Sequence, residues 1–205
     1  LIPPTPTPPV SKAIFISYAS QDAEAARRIC ETLRTEGVEV WFDADGGLEH
    51  GDEWDAKIRR QIKECVLFIP LISANTQSRL EGYFRIEWEL AAQRALGIAA
   101  GVPFILPVVI DDTREPEALV PERFRTVQWT RLLGGGISAD VKQRYLKLWS
   151  HRTGVLKAQE AAASAPAPTA SSPTSSATKT NRPALVAGLI GAGVIAAAVI
   201  GYVTL

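Results

Sequence analysis

The chain is poor in the residues that build metal, disulfide and histidine chemistry. Among its 205 residues it has two cysteines, Cys30 and Cys65, and two histidines, His50 and His151. All four lie far apart, and no CxxC spacing occurs, so neither a zinc site nor a disulfide framework is expected. The two thiols read as reduced, buried side chains in a reducing compartment. Charge of one sign is not in excess either, because 22 basic residues balance 22 acidic ones. That balance gives no electrostatic reason for a nucleic-acid partner. The sequence lacks GxxxxGK[ST], which excludes a P-loop nucleotidase. It lacks GxGxxG after a strand, the dinucleotide fingerprint, and GxSxG, the nucleophile elbow. A phosphoacceptor receiver needs acidic residues just after its first strand, and here that position reads SYAS, with Asp22 arriving as the next helix starts. Methionine is absent, even at position 1, so the chain is read as open at both ends.

What is present alternates between two kinds of pattern. Residues 1–11 (LIPPTPTPPVS) form a proline-rich, extended arm without the basic start and apolar run of a secretory signal. AIFISYAS then reads as a buried strand. Gln21 to Glu36 has helical spacing, with Ala25, Ile29 and Leu33 on one stripe and Gly37 as the stop. VEVWFD is a second strand, DADGGLEHGD a glycine-rich loop, and Glu53 to Glu64 a helix. CVLFIPLIS is a continuous apolar strand, which implies cover on both faces. SANTQSR reads as a loop, Glu81 to Ala99 as a long helix, and VPFILPVVID as a fourth strand. A weaker fifth strand is expected at FRTVQW. Ile137, Val141, Tyr145, Leu148 and Val155 mark a last amphipathic helix. Strands alternating with helices imply an α/β domain over residues 12–157, with a mainly parallel sheet between two helical layers.

Composition changes after Lys157. Residues 158–182 are almost wholly Ala, Ser, Pro and Thr, and cannot bury enough apolar surface to offset chain entropy, so a disordered linker is expected. Residues 183–205 follow, and Ala184 to Leu205 is an unbroken uncharged run. At about 1.5 Å per residue it matches a hydrocarbon core of roughly 30 Å, so it reads as one transmembrane helix. Lys179 and Arg182 flank its start, which places the globular domain on the cytoplasmic side of a single-pass protein. Gly193, Ala197 and Gly201 recur every four residues, a spacing that lets helices approach closely.

Four segments carry a family resemblance. IFISYASQD (14–22) resembles the opening motif of TIR (Toll/interleukin-1 receptor) domains. WFDADGGLEHGDEW (41–54) is similar to their second strand and BB loop, including Leu48 and Gly51. FIPLISANTQSR (68–79) resembles their third strand, and GYFRIEWELAAQRA (82–95) the αC segment of bacterial members. The match covers roughly residues 12–135. It implies a flavodoxin-like sheet of strand order 2-1-3-4-5. It also implies other TIR domains as partners, and one of two activities. Some members are adhesion modules; others cleave NAD⁺ at the nicotinamide–ribose bond, hydrolysing or cyclising the nucleotide when self-assembled. In the cleaving members a glutamate of αC follows an aromatic, usually Trp, by four residues. Tyr83 and Glu87 hold that spacing here. NAD⁺ then enters as substrate, and no separate cofactor is required.

In an open parallel sheet of that order, ligands bind beyond the carboxyl ends of the strands where the order reverses, between strands one and three. The loop from Tyr18 through Ser20 to Gln21, the loop after Asp43 that holds Leu48, and the helix bearing Glu87 should face one cleft. Glu87 is the expected catalytic carboxylate. Tyr18, Ser20, Asp43, Leu48 and Tyr83 are the expected substrate contacts. With Phe84 at the centre of a buried stripe, about 100° per residue puts Glu87 roughly 60° away, at its edge, and Glu89 roughly 140° away, in water. Each residue has a plainer alternative: Tyr18 packs at a strand end, Asp43 caps a turn, and Glu87 pairs with Arg94 or another surface cation. Trp54 and Trp88 read as packing residues, and His50 is assigned no role. If the plainer readings hold, the chain is a non-catalytic TIR adaptor that binds other TIR domains through its BB loop.

Overall fold

The sheet is organised around β1 (Ile14–Ser17), a strand buried at all four positions. Side chains alternate across a strand. Ile14 and Ile16 therefore enter one hydrophobic layer and Phe15 the opposite one. The computed structural model describes residues 12–42 and 52–164. β1 pairs in parallel with β2 (Val40–Trp41) on one side and β3 (Leu67–Ile72) on the other. β4 (Val108–Val109) and β5 (Thr130–Arg131) extend the sheet beyond β3, again in parallel. The order is β2-β1-β3-β4-β5, as the resemblance implied. β3 is buried at every position, which fits a continuous apolar run covered on both faces.

One layer holds α1 (Ala23–Arg34) and α6 (Ala139–Ser164). Ala26, Ile29, Cys30 and Leu33 of α1 and Tyr145 of α6 pack with Ile14 and Ile16. The other layer holds α2 (Asp52–Glu64), α4 (Tyr83–Leu96) and α5 (Glu122–Arg125). Here Ile58, Ile62, Phe84, Trp88 and Phe124 close over Phe15 and Phe68. The Phe15 and Phe68 rings stack with centroids 5.5 Å apart, and Trp88 lies 5.7 Å from Phe124. Gly37 ends α1 with φ at +77°, a conformation that side chains disfavour. Both cysteines are free and buried. Burial pushes the Cys65 thiol up to about 12 against the opposing charge of Arg94, so it is no nucleophile at neutral pH.

Four expectations change. SANTQSR is not a simple loop, because α3 (Ala74–Ser78) forms there. Ser73 accepts from the Thr76 N–H while Thr76 accepts from the Ser73 N–H, a reciprocal cap. The fourth strand is far shorter than VPFILPVVID. Pro103 and Pro107 have no N–H to give the ladder, and a lone bridge, Phe68 to Ile105, precedes the Val108–Val109 pairing. FRTVQW is not a strand either. Its start belongs to α5, and the fifth strand begins one residue after it, at Thr130. The last helix runs past Lys157 to Ser164, so residues 158–164 are helical rather than disordered. Alanine, glutamine and glutamate in that stretch all favour a helix. The proline arm, Asp43 to Gly51, the rest of the linker and the run Ala184 to Leu205 lie outside the described residues. Among the described residues no helix is long and apolar enough to cross a membrane.

Polar side chains stitch the carboxyl ends of the strands together. Asp22 accepts from Ser73 Oγ at 2.6 Å and from Asn75 Nδ2 at 2.7 Å. Asp111 accepts from the N–H of Ala74 at 2.6 Å and of Thr113 at 2.9 Å. Burial pushes the Asp111 carboxyl up, but its bonds to Thr113 and Ala74 and the Arg131 charge outweigh that, so its net shift is downward. A carboxyl held lower in the folded chain than its unfolded value of about 3.9 stabilises the fold above that pH. The stabilisation fades as pH falls through the lowered folded value. Asp111→Ala should therefore cost about 1–2 kcal/mol at neutral pH, and the difference from the unmodified chain should shrink in acid, as the pH falls through the lowered folded value. Urea denaturation of both proteins at neutral pH and in acid checks this, and an equal gap at both would contradict it.

Candidate functional site

A cleft of about 390 Å³ opens beyond the carboxyl ends of β1 and β2, between α2 and α4. Tyr18, Ser20, Tyr83 and Glu87 all line it. These are four of the six residues expected at the site; Asp43 and Leu48 lie outside the described residues. The position differs from the expected crevice between strands one and three. No residue of β3 lines the cleft. The seam between β1 and β3 is already occupied by the buried pair Asp22 and Ser73, the half-buried Asn75 and the cap of α3. The open ground is on the β2 side of β1.

Glu87 stands on the inner edge of α4 and is 9 % exposed. Ser17, the last residue of β1, donates its hydroxyl to Glu87 Oε2 at 2.5 Å. Glu89 is exposed and accepts from Gln93 Nε2 at 3.2 Å. The helical arithmetic thus separates the two acids as expected. The pairing of Glu87 with Arg94 does not occur. Arg94 donates to the carbonyls of Ile62 at 2.7 Å and Cys65 at 2.6 Å, and lies over the Phe104 ring. Trp88 is fully buried, as a packing residue should be.

Tyr83 lies one turn before Glu87. Its phenol donates to Asp55 of α2, and Asp55 is itself paired with Arg59 at 2.5 Å. Burial first, then the bond to Asp55 and the negative charges of Asp55 and Glu87, push the Tyr83 phenol well up, so it stays protonated. The bonds from Arg59 and Tyr83 hold Asp55 down in turn. On the opposite wall the Tyr18 ring stacks on Phe42 with centroids 5.2 Å apart. Tyrosine thus stands on two sides of the cleft, one from the end of β1 and one from α4.

Reading the sequence missed several residues that line or support this cleft. Arg79, Lys57 and Arg34 line it. Arg79 donates to Gln21 Oε1 at 3.1 Å and to Ser20 Oγ at 3.3 Å, while Arg34 donates to the Val40 carbonyl at 2.8 Å. Arg79 was within reach of sequence reasoning, because it ends a segment that follows a strand directly. Lys57 precedes the buried Ile58 by one residue, which puts it at the border of the core stripe of α2. Ser17 follows from alternation in β1 alone. Three cations beside one carboxylate suit a ligand with phosphate groups and a cationic reacting centre. Among the described residues no group of three His, Cys, Asp or Glu side chains could hold a metal ion.

Several solved structures resemble this chain at low identity. The TIR domains of the activated Roq1 resistosome that recognises the pathogen effector XopQ are 15 % identical over 72 % of this chain and 84 % of theirs, with a TM-score of 0.42. The TIR domain of the Toll-related receptor TRR-2 from Hydra magnipapillata is 12 % identical over 70 % of this chain and 97 % of its own, at 0.39. A prokaryotic SEFIR domain is 19 % identical over 69 % and 92 %, at 0.37. No curated protein sequence matches the chain. The sequence profile of the family described as "TIR domain" matches residues 14–147, well over half of the 205, and with that span the chain belongs to the TIR domain family.

Proposed function

We propose that this TIR-domain signalling protein cleaves NAD⁺ at the bond between nicotinamide and ribose when its domains assemble, and that Ala184 to Leu205 anchors it in a membrane. One observation carries the cleavage reading. Glu87 is a buried carboxylate on the wall of the cleft, one helical turn from an aromatic that lines the same space. In the reaction the C1′–N1 bond breaks and its electron pair leaves with nicotinamide. The ring was cationic and departs neutral, so no general acid is needed. The positive charge that develops on the ribose is what a fixed carboxylate stabilises. Water, or a nucleophile elsewhere in the same nucleotide, then attacks C1′ and gives the hydrolysed or cyclised product. Attack by water releases one proton.

The other residues have matching roles. Tyr18 and Tyr83 bracket the nicotinamide side, and Ser20 contacts the substrate beside Arg79. Arg79 and Lys57 supply positive charge for the diphosphate, as oxyanion recognition requires. Asp43 and Leu48, in the segment between β2 and α2, complete the expected contacts. Self-association accounts for the dependence on assembly, and confinement to a membrane raises local concentration without any new contact. The orientation with the domain in the cytoplasm rests on Lys179 and Arg182 beside the uncharged run.

Two experiments test these readings. Glu87→Gln should abolish nicotinamide release by protein clustered on liposomes, with melting temperature nearly unchanged, while Glu89→Gln stays within about 2-fold of the unmodified protein. Equal activity in the two variants removes Glu87 from the chemistry. Inactive clustered protein without any substitution would favour the non-catalytic adaptor. For the anchor, the full chain should sediment with membranes and resist a carbonate wash. A chain cut after Ser164 should stay in the supernatant. A full chain extracted by carbonate would remove the membrane span.

A further inference from the structure

We propose that Ser17 is the positioning residue of this site, holding Glu87 in the rotamer that faces the cleft; this rests on the cleavage reading. Ser17 ends the central strand and sits opposite Pro70 of β3 in the parallel register. Its backbone is therefore fixed by neighbours on the sheet, and its side chain is 1 % exposed. Alternation from Phe15 directs that side chain toward the α2–α4 layer. There the hydroxyl meets Glu87 Oε2 at 2.5 Å, across 70 residues of sequence. An ionised carboxylate can only accept hydrogen bonds, and a donor at that distance favours its charged form.

Glutamate has three side-chain torsions, and freezing them costs conformational entropy. A donor on a rigid strand holds the acid in place before substrate arrives, so the carboxylate need not reorganise as charge develops on the ribose. The molecule contains its own control. Ser73 donates to Asp22 at 2.6 Å, also between buried groups. Neither of those residues lines the cleft. Among the described residues the same chemistry therefore occurs once at the site and once at a seam of the sheet. Loss of either bond disturbs a buried acid, and loss of the first alone disturbs the acid that faces substrate.

The test compares the 205-residue chain on liposomes as unmodified chain, Ser17→Ala, Ser17→Thr and Ser73→Ala. Nicotinamide release is followed against NAD⁺ concentration from pH 4.5 to 9, with melting temperatures recorded in parallel. Ser17→Ala should lower kcat by about 10- to 100-fold with KM within about 3-fold. It should also move the acid limb of the kcat profile upward by about one pH unit. Ser17→Thr keeps the hydroxyl on a strand-compatible side chain and should recover most of both. Ser73→Ala should lower the melting temperature yet leave the acid limb in place. Unmodified kcat and acid limb in Ser17→Ala overturn this role alone. So does an acid limb that moves equally in Ser17→Ala and Ser73→Ala, or a Ser17→Thr variant as impaired as Ser17→Ala with an unchanged melting temperature. An unmodified chain that releases no nicotinamide overturns the cleavage reading and this role together.

Discussion

A strand of four residues has to serve two helical layers at once. β1 gives Ile14 and Ile16 to the layer of α1 and α6, and Phe15 to the layer of α2 and α4. Its neighbours on both edges then have little choice of register, because a slip of one residue exchanges the faces of a strand. Such a slip would turn Ser17 toward α1 and carry its hydroxyl away from Glu87. The constraint that packs the core and the constraint that aims the acid are thus one and the same. The aromatic stack of Phe15 on Phe68 adds to it, since it marks which face of the sheet receives the larger side chains.

The elements that were legible in the sequence are those with uniform demands. β3 is apolar throughout because both of its faces are covered, and α1 shows a clean stripe ending at Gly37. Helical geometry separated Glu87 from Glu89 because their placement depends only on angle. Local side-chain chemistry was harder to see. The reciprocal cap at Ser73 and Thr76 turns a polar stretch into a helix, and nothing in its hydrophobic pattern announces that. Pro107 interrupts an apolar run that otherwise looks like an unbroken strand. The cleft itself was displaced for a tertiary reason. Asp22 meets Ser73 and Asn75 from 51 and 53 residues away, and the three fill the seam where strand order alone would put a ligand. Arg79 and Lys57 were missed because isolated cations in a balanced sequence look like ordinary surface.

Tyr83 is more than a substitute for a larger ring. Its hydroxyl reaches Asp55 on α2, and Asp55 is also gripped by Arg59 one turn along the same helix. The wall of the cleft on the α4 side is therefore fastened to the helix that follows the segment of Asp43 and Leu48. A phenylalanine at this position would keep the ring and lose the fastening. The aromatic at position 83 combines a face for stacking with a polar end for anchoring, a combination suited to a partly buried wall.

Three cations and one carboxylate line the described part of the cleft, whereas the chain as a whole carries no net charge. Those two facts set the range of its attraction. A neutral molecule projects no long-range monopole field, and physiological salt screens what remains beyond about 8 Å. An anion approaching this protein therefore diffuses as it would toward an uncharged particle and feels the arginines and the lysine only near the mouth. Encounter is left to diffusion and discrimination to contact, so salt should govern how long a phosphate-bearing molecule stays far more than how often it arrives.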